Sequence, residues 1–189
     1  MNFEQLWAPW RIGYITGGDK PKSPPNAGEL AWMPEADRTC FLCRAAADLA
    51  TDQQNQHQSD RQNLVVYRTK LAVAVLNRYP YNNGHLLVAP VRHVARLDAL
   101  SNEEHVELMR CISRLNVTLE RLMKPEGFNI GLNLGRVAGA GVPGHVHWHI
   151  VPRWNGDTNF MPVLAGVNVI PQSLEALMEL LHAELDRST

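Results

Sequence analysis

The sequence predicts a single α+β domain, built on an antiparallel sheet of about five strands with one long helix and one C-terminal helix. The chain has 189 residues, of which 45% are hydrophobic, so one core can bury most of its apolar side chains. Short β-branched and aliphatic runs alternate with Gly, Pro and Asn turns, which is typical of strands. Because groups of these runs are each followed by a helical pattern, we expect helices to back the sheet on one side.

Each element is predicted from its own pattern. The five strands are expected at residues 64–67, 71–76, 85–89, 128–134 and 146–151. Ser101 and Glu104 have the spacing of a capping box, which marks the start of the long helix. Apolar residues recur at helical intervals from Val106 to Leu122, and Pro125 follows the end of this helix. The C-terminal helix is predicted at about residues 173–185.

Two segments are predicted to lie outside these elements. Residues 1–38 contain Gly17-Gly18 and several prolines, so we expect an irregular N-terminal arm rather than a separate domain. Residues 39–189 then form the single domain. Residues 51–63 are rich in Gln, Asn and Asp, and they are predicted to be a solvated loop.

Composition and charge exclude several classes of protein. No apolar run approaches the roughly 20 residues that cross a membrane, so no membrane association is expected. The N-terminus lacks a basic segment followed by an apolar one, so it is not a secretory signal and we expect a cytoplasmic location. A net charge of -1 disfavours binding to a nucleic acid polymer.

Three histidines alternate with apolar residues in the segment His-Val-His-Trp-His-Ile-Val at residues 145–151. Alternate side chains of a strand share a face, so His145, His147 and His149 point to one side, about 6.6 Å apart along the backbone, and the apolar residues point to the core. Neutral imidazole has a nitrogen lone pair, so it can act as a nucleophile, a proton shuttle or a metal ligand. The residues alone leave three interpretations open: a histidine-rich strand without function, a catalytic metal centre, and a nucleophilic site.

This segment resembles the motif of the histidine-triad family. The resemblance continues through Leu76-Asn-Arg-Tyr-Pro80 and Gly84-His-Leu-Leu-Val-Ala-Pro90, and it covers about residues 64–155. The segments Leu6-Trp-Ala-Pro-Trp-Arg11 and Arg153-Trp-Asn-Gly-Asp-Thr-Asn159 are similar to the diadenosine tetraphosphate phosphorylase branch. The resemblance implies the fold of this family and an enzyme that acts on nucleotides.

The resemblance also implies roles for individual residues. His147 corresponds to the nucleophile, which attacks the α-phosphorus of a nucleotide and carries the nucleotidyl group until water or phosphate removes it. His149 corresponds to the histidine that contacts the phosphate and assists the leaving group. The other implied contacts are Asn77 with the ribose hydroxyls, Asn133 with the phosphates, and Gly139 and Gly141 in a loop whose backbone N–H groups suit phosphoryl oxygens. A simple turn before Pro80 remains the alternative for Asn77, and His85, His105 and His182 are expected to have no role in the site.

Cys40 and Cys43 form a Cys-x-x-Cys pair, which suits one tetrahedral zinc ion. An odd number of cysteines, three, argues against a disulfide framework, and unliganded thiols or a redox pair are the alternatives. The histidine-triad resemblance implies that His93 and His145 complete the zinc site. A zinc ion with four protein ligands has no open position, so it would be structural.

The predicted function is a nucleotide hydrolase or a diadenosine tetraphosphate phosphorylase-like nucleotidyltransferase. Its ligand would be a nucleotide or a dinucleoside polyphosphate, without an organic cofactor, and the resemblance implies a homodimer or a larger homo-oligomer. Two alternatives are a nucleotide-binding sensor without turnover and a catalytic-zinc hydrolase. The sequence does not decide whether water or phosphate accepts the nucleotidyl group. Some phosphorylase-like relatives have a hydroxyl residue where this chain has Gly141, which weakens the case for phosphorolysis. His149 is retained as in hydrolases, but bacterial phosphorylase relatives retain it too.

Overall fold

The computed structural model describes residues 30–49, 53–158, 161, 164 and 169–187. Most of the predicted N-terminal arm lies outside these ranges. Within them, the helices are α1 (Phe41–Ala46), α2 (Gln53–Asn63), α3 (Asn102–Met123) and α4 (Leu174–Arg187), and the strands are β1 (Leu30–Ala31), β2 (Asp48–Leu49), β3 (Val65–Arg68), β4 (Ala72–Leu76), β5 (Leu86–Pro90), β6 (Gly127–Leu132) and β7 (Trp148–Arg153). None of these helices combines the length and the apolar character that crossing a membrane requires.

The main sheet has five antiparallel strands in the order β3-β4-β5-β7-β6. Each predicted strand is present, with ends within two residues of the prediction. The long helix and the C-terminal helix are present as well, so the α+β class is confirmed. β1 and β2 form a separate two-stranded pair. Because β7 lies between β5 and β6, the residues at its start are in the interior of the sheet.

The main core lies between one face of the sheet and the helices α3 and α4. Ala72, Ala74 and Leu76, which alternate along β4, face this core. The helices contribute fully or almost fully buried leucines, among them Leu108, Leu115, Leu119, Leu177 and Leu181. Leu115 and Leu119 are among the apolar residues whose helical spacing predicted α3 from the sequence.

The opposite face of the sheet is also covered by a helix. Val73 and Val75, which alternate with the main-core residues of β4, pack in one cluster with Leu42 and Ala45 of α1. The prediction that helices back the sheet on one side only was therefore wrong. α1 has six residues, fewer than two turns, so no helical periodicity could reveal it.

The start of α3 has the predicted capping box. The Ser101 hydroxyl accepts a hydrogen bond from the Glu104 N–H at 3.2 Å, and the Glu104 carboxylate accepts one from the Ser101 N–H at 2.8 Å. Arg92 also donates to Glu104, at 2.7 Å, and this hydrogen bond lowers the pKa of the Glu104 carboxyl. The buried carboxylate therefore joins the loop after β5 to the start of α3.

The segment at residues 51–63 was predicted to be a loop, and this prediction was wrong because α2 covers Gln53–Asn63. The polar side chains of α2 bind one another and the neighbouring strand. Gln56 donates to Asp60 at 2.8 Å, and Asp60 accepts two hydrogen bonds from Arg68 of β3, the shorter at 2.6 Å. Polar contacts rather than an apolar stripe hold this helix, so its sequence had the appearance of a solvated loop.

Candidate active site and metal site

The three histidines lie at and just before the start of β7. β7 begins at Trp148, so His145 and His147 precede the strand, and His149 is opposite Leu87 of β5. The intervening apolar residues Val146, Trp148 and Ile150 belong to the main core. The predicted alternation is therefore present, with the histidines on the opposite side of this segment.

His147 is held by a backbone carbonyl. Its Nδ1–H donates to the carbonyl oxygen of His145 at 2.8 Å. A carbonyl oxygen only accepts hydrogen bonds, so the proton of the neutral ring is on Nδ1 and the lone pair is on Nε2. Within the described residues no hydrogen bond engages this Nε2. The ring is only 4% exposed, and burial lowers its pKa, which keeps the lone pair available at neutral pH.

His149 lies next to His147 and is held by a different chain of contacts. The two ring centroids are 5.1 Å apart. The backbone N–H of Tyr81 donates to Nδ1 of His85 at 3.1 Å, so the neutral His85 ring has its proton on Nε2. That Nε2–H donates to Nδ1 of His149 at 2.9 Å. A neutral His149 therefore carries its proton on Nε2, where it is a hydrogen-bond donor.

The backbone thus fixes the two neighbouring rings in opposite tautomers. His147 presents a lone pair at Nε2, and His149 presents an N–H at Nε2. A nucleophile beside a donor is the arrangement that displacement at a phosphoryl group requires, because charge develops on the departing oxygen.

His85 was expected to have no role in the site, and the structure places it at the centre of these contacts. It is fully buried, and its ring lies 5.1 Å from the His149 ring and 4.5 Å from the Tyr81 ring. The sequence contained one usable signal: a histidine at the start of a strand predicted to join the same sheet as the triad. Only the strand order, with β5 next to β7, shows that the two are neighbours.

Asn77 lies beside the same histidine. Its Nδ2 is 3.3 Å from Nδ1 of His85, and its Oδ1 accepts a hydrogen bond from the Tyr79 N–H at 3.0 Å. The turn before Pro80 is therefore real, and Asn77 contacts the histidine cluster at the same time.

The loop between β6 and β7 approaches the histidines from the other side. Asn133 is half-buried and lies on the same cavity wall as His149. Gly139 has a φ of +87°, a conformation that favours glycine, and its N–H donates to the carbonyl of Arg136 at 3.0 Å. Gly141 is exposed. In this loop conformation the amide of Gly139 is engaged in its own turn.

Four residues form a compact cluster at the other end of the triad. One ligand atom from each of Cys40, Cys43, His93 and His145 lies within 4.8 Å of all the others. Nδ1 of His145 is 3.5 Å from both sulfur atoms, and Nδ1 of His93 is 3.1 Å from Sγ of Cys43. Ligand atoms of a tetrahedral zinc site are about 3.3–3.8 Å apart, given bonds of about 2.0–2.3 Å. The four residues are therefore positioned to bind a metal ion.

The protonation of these groups suits a metal site. Nε2–H of His145 donates to the carbonyl of Pro90 at 2.8 Å, so the lone pair on Nδ1 faces the two sulfur atoms. Burial lowers the pKa of His145 to about 4, which keeps the ring neutral. Burial also raises the pKa of the Cys40 thiol, and that of the Cys43 thiol to about 12, so a bound cation is what would favour the thiolates.

Gly144 makes room for one of these ligands. A Cβ at this position would lie 3.2 Å from Nε2 of His93, which is closer than most side chains allow. The glycine before His145 therefore has a steric reason that the sequence pattern alone did not reveal.

Comparison with known proteins shows the family to which this chain belongs. The family model of the HIT domain, the histidine-triad domain, matches residues 58–156. The chain belongs to the HIT family. It is 38% identical over 184 residues to a Mycobacterium tuberculosis protein named AP-4-A phosphorylase, covering 97% of this chain and 85% of that protein. A Schizosaccharomyces pombe protein named bis(5'-nucleosyl)-tetraphosphatase [asymmetrical] is 41% identical over 93 residues, covering 49% of this chain and 50% of that protein.

A solved HIT structure has the same fold. It is the crystal structure of a Zn-bound histidine triad family protein from Mycobacterium smegmatis, with a TM-score of 0.55 and 25% identity, covering 66% of this chain and 85% of that one. In the present chain the matched HIT segment contains the three histidines and His93, whereas Cys40 and Cys43 precede it. The cluster of two cysteines and two histidines therefore joins the HIT segment to the part of the chain before it.

Proposed function

We propose that this HIT protein splits dinucleoside polyphosphates, or related nucleotide conjugates, at the α-phosphate through a nucleotidyl-histidine intermediate on His147. The observation that carries the proposal is the pair of opposite tautomers: Nε2 of His147 has the lone pair and Nε2 of His149 has the proton. The names of two relatives, a phosphorylase and a tetraphosphatase of such compounds, support the substrate class.

The proposed reaction has two displacements at the same phosphorus. Nε2 of His147 attacks the α-phosphorus, the bond to the bridging oxygen breaks, and its electron pair stays on the departing phosphate. The Nε2–H of His149 hydrogen-bonds to that phosphate and stabilises the charge that develops on it. In the second step, water or inorganic phosphate attacks the same phosphorus, and the bond to Nε2 of His147 breaks.

The remaining predicted contacts belong to this proposal. Asn77 would bind the ribose of the transferred nucleotide, since it lies beside His85 on one side of the histidines. Asn133 and Gly141 would contact the phosphates from the loop before β7. Gly139 would contribute its N–H only after the turn bond to Arg136 opens.

We also propose that the cysteine and histidine cluster binds a structural zinc ion. Two thiols and two imidazoles are a ligand set that zinc prefers, and the spacing of their atoms fits a tetrahedral site. His147 and His149 are outside this cluster, which disfavours the alternative of a catalytic metal held by the triad. Zinc in the similar protein from Mycobacterium smegmatis is a further support.

The proposal extends to the setting of the enzyme. A reducing, cytoplasmic compartment agrees with the three cysteines, all of which are thiols. A homodimer or larger homo-oligomer agrees with exposed apolar side chains on α3, namely Val106, Met109 and Val117. Sedimentation analysis of the purified protein would measure the oligomeric state.

The test is incubation of the purified protein with diadenosine tetraphosphate, with and without inorganic phosphate. Hydrolysis gives AMP plus ATP, and phosphorolysis gives ADP plus ATP. We expect turnover with one of these product pairs, and we expect His147→Ala to reduce it by a factor of at least ~10³. His105→Ala, which changes an exposed histidine of α3, is the matched control and should retain activity. Tight binding without any product would instead identify a nucleotide sensor.

A further inference from the structure

A cavity of about 650 Å³ lies beside His149, and most of its lining residues, Arg153 among them, have no role in the reaction proposed above. It is lined by residues of β6, by the second half of β7 and by Tyr81, and its size is that of a small-molecule site. In the sheet, β6 and β4 are on opposite sides of β7. The cavity is therefore on the opposite side of the catalytic histidines from Asn77, which follows β4.

This position matters because displacement at phosphorus places the nucleophile and the leaving group in line. If the transferred nucleoside is on the Asn77 side and His147 attacks the α-phosphorus, the cavity on the other side of the histidines offers space for the rest of the substrate. The cavity begins at the histidines, since His149 itself is one of its lining residues.

Arg153 supplies a cation to the cavity. Its guanidinium donates to both oxygens of Asp157, at 2.6 and 3.0 Å, and to Oδ1 of Asn129 at 2.8 Å. These bonds use three of the five N–H donors of the group. Arg153 and Asp157 both line the cavity, but the Arg153 side chain is 45% exposed and that of Asp157 only 8%, so the guanidinium is the more accessible of the two charged groups.

Asp157 keeps this arginine in place. Hydrogen bonds from Arg153 lower the pKa of the Asp157 carboxyl to about 2, so the ion pair persists through the neutral range. Asp157 also accepts from Asn82 at 2.8 Å. A guanidinium fixed in this way is suited to oxyanions, because its remaining donors are already oriented.

The floor of the cavity is open beside His149. Gly131 of β6 is directly opposite His149, and a Cβ at this position would meet no atom within 4 Å. His149 and Arg153 are four residues apart on the same face of β7, a distance of about 13 Å, which is longer than one phosphate group. The Tyr81 ring is stacked on His149, with centroids 5.8 Å apart.

From these observations we infer that the cavity is the subsite for the polyphosphate of the leaving nucleotide, with Arg153 as the group that binds it. The inference rests on the proposed function and adds to it the class of leaving group: a nucleoside polyphosphate rather than a compact group. When the bond between the α-phosphorus and the bridging oxygen breaks, the electron pair and the negative charge stay on the phosphate chain in this cavity.

The test compares two substrates that transfer the same adenylyl group. Diadenosine tetraphosphate has ATP as its leaving group and reaches the cavity, whereas adenosine 5'-monophosphoramidate has only an amino group there. Gly131→Glu places a carboxylate in the open floor, and Gly131→Gln has the same size without the charge. Arg153→Gln removes the cation and leaves a shorter, neutral side chain that can still form hydrogen bonds.

We expect kcat/KM for diadenosine tetraphosphate to fall about 10- to 100-fold in Arg153→Gln, the range for one lost charge-assisted hydrogen bond. Gly131→Glu should lose at least ~10-fold more than Gly131→Gln with the same substrate. With the phosphoramidate, Gly131→Glu and Gly131→Gln should be equal within about twofold, and Arg153→Gln should lose a much smaller factor than it loses with diadenosine tetraphosphate.

The outcomes separate the two proposals. Suppose that the wild-type protein cleaves both substrates. The subsite inference is overturned, and the proposed function stands, if Gly131→Glu and Gly131→Gln have equal activity with diadenosine tetraphosphate. The same conclusion follows if Arg153→Gln loses activity equally with both substrates. A wild-type protein that cleaves neither substrate contradicts the proposed function and the inference with it. The Gly131 pair keeps the test valid even if Arg153→Gln fails to fold.

Discussion

At the scale of single residues, two backbone groups determine the tautomers of His147 and His149. The carbonyl of His145 fixes the proton of His147 on Nδ1, and the N–H of Tyr81, acting through His85, fixes the proton of His149 on Nε2. Two identical side chains, two residues apart on the same side of the segment, thereby acquire different chemical properties.

His85 is a positioning residue in this mechanism, because it acts on the substrate only through His149. We expect His85→Gln to lower kcat by roughly 10-fold, which corresponds to about one hydrogen bond, with a smaller effect on KM. His182→Gln is the matched control, since His182 also bonds a backbone group, the Val65 carbonyl, at 2.9 Å, but is remote from the triad. Equal rates in the wild type and His85→Gln would contradict the role assigned to His85.

The sequence predicted the roles of those residues that have a characteristic local spacing. His145, His147 and His149 share a face because strand geometry has a period of two, and Cys40 and Cys43 have a spacing that a single metal ion requires. His85 has no such local pattern. Its role depends on β5 lying next to β7, which is a long-range property of the fold.

At the scale of elements, the helix best predicted from the sequence was the one that has both a capping box and a periodic apolar stripe. α3 was predicted from its capping box and its apolar stripe, and both are present. α2 and α1 were missed for different reasons: polar contacts hold α2, through Asp60 and Arg68, and α1 is too short to show a period. Tertiary contacts contribute to the stability of both helices, and they are not visible in the local sequence pattern.

Glu104 links two elements, and its substitution tests that link. Its carboxylate caps α3 and binds Arg92, next to the metal-cluster residue His93. We expect Glu104→Ala to lower the free energy of unfolding by about 2 kcal/mol in urea denaturation at neutral pH, since a cap and a buried charge partner are lost. Glu103→Ala, which changes an exposed residue of the same turn, should cost much less.

The destabilisation caused by Glu104→Ala should depend on pH in a defined direction. The pKa of the Glu104 carboxyl is lowered in the folded protein, so the folded state binds fewer protons than the unfolded state near the ordinary value of 4.5. The stability from the carboxylate is therefore present above pH 4.5 and is lost as the pH falls through the lower folded value. A destabilisation by Glu104→Ala that stays constant down to pH 3 would contradict this interpretation.

At the scale of the whole molecule, the cluster of two cysteines and two histidines brings together three distant parts of the chain. Cys40 and Cys43 lie at the start of α1, His93 follows β5, and His145 precedes β7. The ring of His145 belongs to the cluster, while its carbonyl holds His147. A metal ion there would stabilise the residues that position the nucleophile, although it takes no part in the reaction.

Loss of a ligand from this cluster should therefore lower both the zinc content and the stability of the protein. We expect the wild-type protein to contain about one zinc per chain by plasma mass spectrometry, and Cys40→Ser to reduce the zinc content strongly and to lower Tm. Cys111→Ser changes a buried thiol outside the cluster, so it should keep its zinc whatever its effect on Tm. Equal zinc content in Cys40→Ser and Cys111→Ser would contradict the assignment of the ligands.

The most direct test of the proposed mechanism is the mass of the protein during turnover. The protein is mixed with diadenosine tetraphosphate, quenched within milliseconds in neutral denaturant to preserve the phosphorus–nitrogen bond, and analysed as the intact chain and as peptides. We expect a fraction of the chains to gain the mass of one adenylyl group, located on His147 and absent in His147→Ala. Product formation without any such adduct, or an adduct on another residue, would contradict the central claim.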